Sequence, residues 1–260
     1  MTYSGQLTPS SERRRHRWQS PRACTCAQFC LAILLSVAGL GIAQAETLPL
    51  PNDLIALDSE QGQRLFLAAE ANQAFFPLSL HFVTQDHPAF CGPASIAMVL
   101  NALHVPRPPS KLTLGLGFYD QDNLFDARSE AIKSRSAVMQ GGMTLDELGG
   151  ILVAHDLNVV VHHAGDSHLD EFRRLAVTEL KGKDRFVLVN YLRSAIGQRS
   201  MGHISPLAAY DKVGDRFLIL DVSRYKYPPV WVKAADLFAA MNTIDADNNN
   251  RTRGYVIVGR

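Results

Sequence analysis

A chain of 260 residues, 47% hydrophobic and 20% charged, has the composition of an ordinary globular protein and the length for one large domain or two small ones. Its formal charge of +1 removes any electrostatic case for nucleic acid, or for an anionic membrane surface, as the partner.

The first 45 residues stand apart from the rest. Arg13, Arg14, Arg15, Arg17 and Arg22 precede an apolar stretch over 29–43, and Ala43-Gln44-Ala45 offers a small-x-small site just before Glu46. That three-part layout predicts an export leader over 1–45, cleaved after Ala45, and a periplasmic destination. The apolar run is shorter than the ~20 residues that cross a bilayer. No stable membrane span is therefore expected after cleavage, although an uncleaved anchor competes with this reading. Loss of the leader leaves 21 basic and 24 acidic residues, a formal charge of −3, and Cys91 as the last of four cysteines. A lone thiol in an exported chain cannot form an internal disulfide and points to a reactive role.

The remaining chain, 46–260, reads as one catalytic domain. A helix is predicted over 58–71, with Asp58 as its cap and Leu65, Phe66 and Ala69 on one face. A short strand over 79–84 leads to Gln85. From Cys91-Gly92-Pro93 an apolar run begins in which Ile96, Val99, Leu100 and Leu103 recur at helical spacing, and Pro93 suits a first turn. This helix ends near Leu103, ahead of Pro106, Pro108 and Pro109. Short helices and loops are expected over 110–142. Thr144-Leu-Asp-Glu147 is a capping box for a helix to about His155. A valine-rich strand over 158–162 follows, then a helix capped by Asp166 or Ser167 and running to Lys181. Strands are predicted over 186–191, 204–210 and 217–220, the last two joined by a turn over 211–215. A short helix lies within 231–241, and 255–258 closes the sheet. Helices first, then a mostly antiparallel sheet with further helices inserted, make an α+β fold.

At a helix start, the dipole and free N–H groups favour a thiolate at Cys91, and the Gln85 amide six residues upstream could donate to an oxyanion. A buried cysteine in an ordinary core helix is the competing reading. A cysteine nucleophile needs a base and a group to orient it. Most histidines fall in helices, turns or polar loops. His162-His163 lacks the further ligands of a metal site, and none is expected. His203 differs: it opens a predicted strand beside Gly202, whose missing side chain permits close substrate approach. Asp221 ends the partner strand, so a hairpin over 204–220 brings carboxylate and imidazole together. Cys91, His203 and Asp221 thus compose a Cys-His-Asp set.

Three segments carry a resemblance. Residues 85–103 resemble the nucleophile segment of phytochelatin synthases, which are papain-like glutathione γ-glutamylcysteinyltransferases. Gly202-His203-Ile-Ser-Pro206 is similar to that family's Gly-His-Phe-Ser-Pro. Asp221-Val-Ser-Arg-Tyr-Lys-Tyr-Pro-Pro-Val-Trp231 is similar to its Asp-Val-Ala-Arg-Phe-Lys-Tyr-Pro-Pro-His-Trp. The resemblance spans roughly 76–241 and implies a papain-like fold with the nucleophile helix packed on the sheet. It implies Cys91 as nucleophile, His203 as base, Asp221 as its orienting acid, Gln85 as oxyanion donor and Arg224 in the substrate pocket. Gly202 and Tyr227 are further substrate-facing candidates, with plain packing the alternative for Tyr225 and Tyr227. The implied reaction cleaves the Cys–Gly bond of glutathione through a Cys91 acyl-enzyme, giving γ-glutamylcysteine and glycine, with minor phytochelatin synthesis. No cofactor is required, and cadmium or zinc would act through a metal–thiolate form of the substrate. A homodimer is left open. The cysteine-rich C-terminal region of the plant enzymes is absent from this sequence and a leader is present, as in short bacterial members. Two rivals remain. A general papain-like peptidase of the bacteriocin-exporter type shares the Gln-x5-Cys-Gly pattern but not the 224–231 block. A non-catalytic thiol-binding member would have no need of an intact Gln85, Cys91, His203 and Asp221.

Overall fold

The computed structural model describes residues 47–199 and 201–260; the leader expected over 1–45 lies outside the described residues. In chain order the elements are β1 (Ile55–Ala56), α1 (Glu60–Ala68), α2 (Phe75–Leu80), α3 (Cys91–Ala102), α4 (Ala127–Ile132), α5 (Arg135–Gly141) and α6 (Leu145–Ala154). There follow β2 (Asn158–His163), α7 (Leu169–Leu180), β3 (Arg185–Leu192), β4 (Gly202–Asp211), β5 (Arg216–Ile219) and β6 (Val230–Lys233). Last come α8 (Ala234–Met241), β7 (Ile244–Asp245), β8 (Arg251–Thr252) and β9 (Gly254–Gly259).

Seven strands form one sheet in the order β1-β6-β5-β4-β3-β9-β2, with every neighbouring pair antiparallel. β7 and β8 pair separately. The architecture is α+β, as the element order predicts. The central strands are covered on both faces, which is why they read as continuous apolar runs rather than alternating ones. On β2, Val159 and Val161 meet α6 at Gly149. On β9, the face bearing Tyr255 meets Phe172 of α7, with ring centroids 5.0 Å apart. Because Val161 pairs with Val256 and His162 with Tyr255, these are opposite faces. α3 and α6 touch each other, as do α7 and α8 on the other side. Every residue of α3 is buried, so this helix is the core of its layer. Among the described residues no helix is long and apolar enough to cross a membrane.

Local chemistry explains where the elements start. The Thr144 capping box is formed on both arms. The turn after β4 closes on Asp211, whose Oδ2 accepts the Gly214 N–H at 2.6 Å. Other expectations need correction. Segment 79–84 is not a strand: α2 occupies Phe75–Leu80, because Pro77 sits in its first turn, where an N–H is dispensable. The cap of α1 is Ser59, not Asp58; its hydroxyl accepts the Gly62 N–H at 3.0 Å. Asp166 lies in a 3₁₀ turn rather than capping α7, and Ser167 bonds Glu171 at 3.0 Å. The short helix expected within 231–241 is present as α8, and Trp231 precedes it in β6, where its indole N–H donates to the Gly62 carbonyl at 3.1 Å. The last strand, β9, completes the sheet from within, inserted between β3 and β2.

That insertion makes Gly254 critical. A Cβ there would lie 1.9 Å from the His162 carbonyl oxygen, a backbone atom of the paired strand that cannot swing aside. Gly254→Ala is expected to destabilise the fold by about 3 kcal/mol or more. Urea unfolding would register this as a lower midpoint. A midpoint equivalent to within ~0.5 kcal/mol of wild type would show that β2 and β9 can part without cost.

Candidate active site

Three elements deliver the chemistry. α3 presents Cys91 at its first position, with Pro93 in the first turn and no side chain capping the N-terminus. The first N–H groups of the helix are therefore open to a developing anion. Ser95 ties the helix to β4: its hydroxyl contacts the Cys91 carbonyl at 2.8 Å and the Ile204 carbonyl at 3.3 Å. The start of β4 supplies His203, and Asp221 lies just beyond β5.

The hairpin does bring His203 and Asp221 together, with Nε2 and Oδ1 2.9 Å apart. A β-bulge makes this possible. Between Leu207 and Ala209 the register shifts by one residue. Continuing past Leu207↔Ile219, where the Leu220 N–H donates to the Pro206 carbonyl at 2.9 Å, Asp221 comes to face Ser205. Without the extra residue it would face Pro206 and point to the other side of the sheet. Ser205 also contacts His203 Nε2, at 2.9 Å. With Nε2 engaged by the carboxylate, Nδ1 is the ring nitrogen left for the thiol.

Burial raises the Cys91 thiol pKa, but the hydrogen bond and charge of His203, the Ile204 N–H and the charge of Arg193 outweigh it, and the net direction is down. For His203, burial lowers the pKa and the Asp221 carboxylate raises it, with a net rise. Both shifts favour a thiolate–imidazolium pair. Burial also opposes ionisation of Asp221, yet His203 and Arg193 hold it far below the ordinary carboxylate range. The Asp221 side chain is fully buried, and its Oδ1 accepts from His203, from Arg193 at 2.8 Å and from the Ser223 N–H at 2.8 Å.

Cys91 and His203 open on a cavity of about 480 Å³, also lined by His87, Met143, Asn190, Gly202, Asp245 and Arg253. Gly202 is thus at the cavity, as its position beside His203 suggests. Gln85 is buried, but its Nε2 already donates to the His87 and Pro88 carbonyls at 2.8 and 2.9 Å. It holds the turn ahead of α3, and acting as an oxyanion donor would require breaking one of those bonds. Arg224 does not line this cavity. It lines a second hollow with Leu57, Phe66, Phe75 and Phe82, its guanidinium 4.8 Å above the Phe82 ring. The reason is local: Asp221 points inward from the segment after β5, and three residues on, Arg224 is already on the outer surface. Tyr227 is buried, its hydroxyl accepting the Arg199 N–H at 2.8 Å, so it packs and braces rather than facing the cavity.

Two groups escaped the sequence reading. Arg193 follows β3 and is buried against Asp221. Asp245 and Arg253 form an ion pair of 3.4 Å at the cavity wall, contributed by the β7–β8 ribbon and the residue before β9. Nothing local distinguishes these arginines from surface ones.

A family model described as phytochelatin synthase matches residues 45–255. Among curated proteins, the chain is 35% identical over 207 residues to glutathione γ-glutamylcysteinyltransferase 1 of Lotus japonicus, covering 78% of this chain and 40% of that protein. It is 32% identical over 213 residues to the Schizosaccharomyces pombe glutathione γ-glutamylcysteinyltransferase, covering 80% and 50%. It is 31% identical over 217 residues to glutathione γ-glutamylcysteinyltransferase 1 of Arabidopsis thaliana, covering 82% and 43%. The chain spans half or less of the length of these relatives.

Proposed function

This chain belongs to the phytochelatin synthase family, and on that premise we propose that it is a papain-like acyltransferase and hydrolase that cleaves the Cys–Gly bond of glutathione through a Cys91 thioester. The observation that carries the reading is one cavity that holds both the Cys91–His203 pair, backed by Asp221, and the Asp245–Arg253 ion pair. A juxtaposed carboxylate and guanidinium complement the α-ammonium and α-carboxylate of a γ-glutamyl head group. A peptide lacking that free zwitterion would leave the pair unmatched, which weighs against a general peptidase.

In the proposed reaction the Cys91 thiolate attacks the carbonyl carbon of the Cys–Gly amide. The tetrahedral oxyanion is stabilised by N–H groups at the α3 N-terminus. His203 gives its proton to the glycine nitrogen as the C–N bond breaks, leaving γ-glutamylcysteinyl thioester on Cys91. Water, deprotonated by His203, then releases γ-glutamylcysteine. The amine of a second glutathione can take its place and extend the chain. Gln85 keeps the 87–88 turn in place. Cadmium or zinc enters as a thiolate complex of the substrate, and export through the 1–45 leader is part of the same proposal.

Hydrolysis is the main course in this reading. Transfer needs an acceptor that is held and oriented, while water needs no site. Among the described residues lining the cavity, Arg253 is the one arginine or lysine. The donor's head group occupies it, which leaves the two carboxylates of a second glutathione without a cationic partner. Incubating the full chain with glutathione should release glycine and γ-glutamylcysteine in equal amounts, with longer peptides minor and increasing with glutathione concentration. No glycine release would overturn the proposal. Chains with two or more γ-Glu-Cys units dominating at low substrate would overturn the preference for water.

A further inference from the structure

The Arg193 side chain is 3% exposed and its guanidinium is held on three sides. One terminal nitrogen donates to Asp221 Oδ1 at 2.8 Å, and the other to the Gln198 side-chain oxygen. The guanidinium carbon lies 5.3 Å over the Tyr227 ring. Its backbone N–H donates to the Met201 carbonyl at 3.1 Å, two residues before His203. Arg193 and His203 share a single carboxylate oxygen, while Asp221 Oδ2 is buried without a hydrogen-bond partner among the described residues.

We infer that Arg193 is a positioning residue for the proposed reaction: it fixes the Asp221 carboxylate against His203 and balances its charge, so that Cys91, His203, Asp221 and Arg193 form a buried, net-neutral relay of alternating sign. Without Arg193, a thiolate, an imidazolium and a carboxylate would leave one uncompensated negative charge in the interior, where an unpaired ion is costly. The carboxylate would also hold the imidazolium proton more firmly, hindering its transfer to the leaving glycine. Arg193 opposes that pull: its charge lowers the pKa of both His203 and Cys91. The cavity wall also carries His87, Asp245, Asp247 and Arg253. Arg253 is already matched by Asp245, so it does not substitute for Arg193.

The inference rests on Cys91 and His203 acting as nucleophile and base, and its test does not require glutathione. The rate of iodoacetamide modification of Cys91 would be followed against pH in the full chain by peptide mass mapping, which separates Cys91 from the three leader cysteines. Arg193→Met should move the Cys91 inflection upward by about one pH unit, because a neighbouring cation has been removed. Arg193→Lys keeps the charge but loses the forked hold on Asp221 and Gln198. It should leave the inflection in place while glycine release falls about tenfold in kcat with KM little changed. A Met variant whose profile superimposes on wild type overturns the inference. If that variant does not fold, the Lys variant decides: wild-type kcat overturns the inference, and the tenfold loss at an unmoved inflection supports it. A wrong substrate would leave the alkylation profiles as predicted while glycine release failed in every variant, wild type included.

Discussion

Cys91→Ala is expected to reduce glycine release from glutathione by on the order of 10⁴-fold or more, since the nucleophile and its thioester are both lost. Stability should change by no more than about 1 kcal/mol, because the side chain is small and alanine fits its place at the start of α3. Background cleavage by water activated at His203 is the most that should remain. The check pairs a glycine assay with urea unfolding of the same preparation. A folded variant with more than a few per cent of wild-type turnover would remove the covalent step from the proposal. Selective alkylation of Cys91 gives the complementary result: loss of activity in proportion to modification at that residue alone.

Asp221→Asn should have two large effects at once. Activity is expected to fall about 10³–10⁴-fold, because the imidazole loses the anion that fixes its tautomer and supports its charge. Stability should also fall, by about 3–5 kcal/mol, because the buried Arg193 loses its carboxylate while remaining charged. The pH dependence follows from the direction of the shift. The folded-state pKa of Asp221 is depressed, so its stabilisation is complete above the unfolded-state value near pH ~4 and disappears as pH falls through the folded-state value. The Asp221 part of the gap between wild type and variant should therefore disappear only in acid. The His203 pKa that Asp221 raises adds a part that is complete below the unfolded-state imidazole value and is lost as pH rises through the folded-state one, so the gap should not shrink between pH 7 and pH 5. A gap that already closes between pH 7 and pH 5 would mean that Asp221 is not the ionised centre of this network.

The three central residues were legible because each carries a local signature. Cys91 precedes a proline-tolerant helix start, His203 opens a strand after a glycine, and Asp221 ends an apolar strand. Such signals come from spacing and backbone preference, which operate over a few residues. The capping box at Thr144 and the turn closed by Asp211 were legible for the same reason.

Burial and long-range register are not local, and here the reading went astray. Segment 79–84 alternates like a strand, but its first residues are claimed by α2, since Pro77 is harmless in a first turn. Arg224 lies within the segment most similar to the phytochelatin synthases, yet it stacks on Phe82 outside the cavity, because the chain turns outward after Asp221. Arg193, Asp245 and Arg253 have neighbours that predict nothing about charge. They meet their partners only when β3, the β7–β8 ribbon and β9 are assembled around the site. From the amino-acid sequence alone came Cys91, His203 and Asp221 as a candidate set and the α+β class, because those depend on residue type and short-range periodicity. The tertiary structure alone decided that one extra residue between Leu207 and Ala209 turns Asp221 onto the face of His203, and that a buried arginine waits there to meet it. Side-chain facing reverses with each residue along a strand, so the register of two paired strands, which is a property of the pair, determines which groups meet.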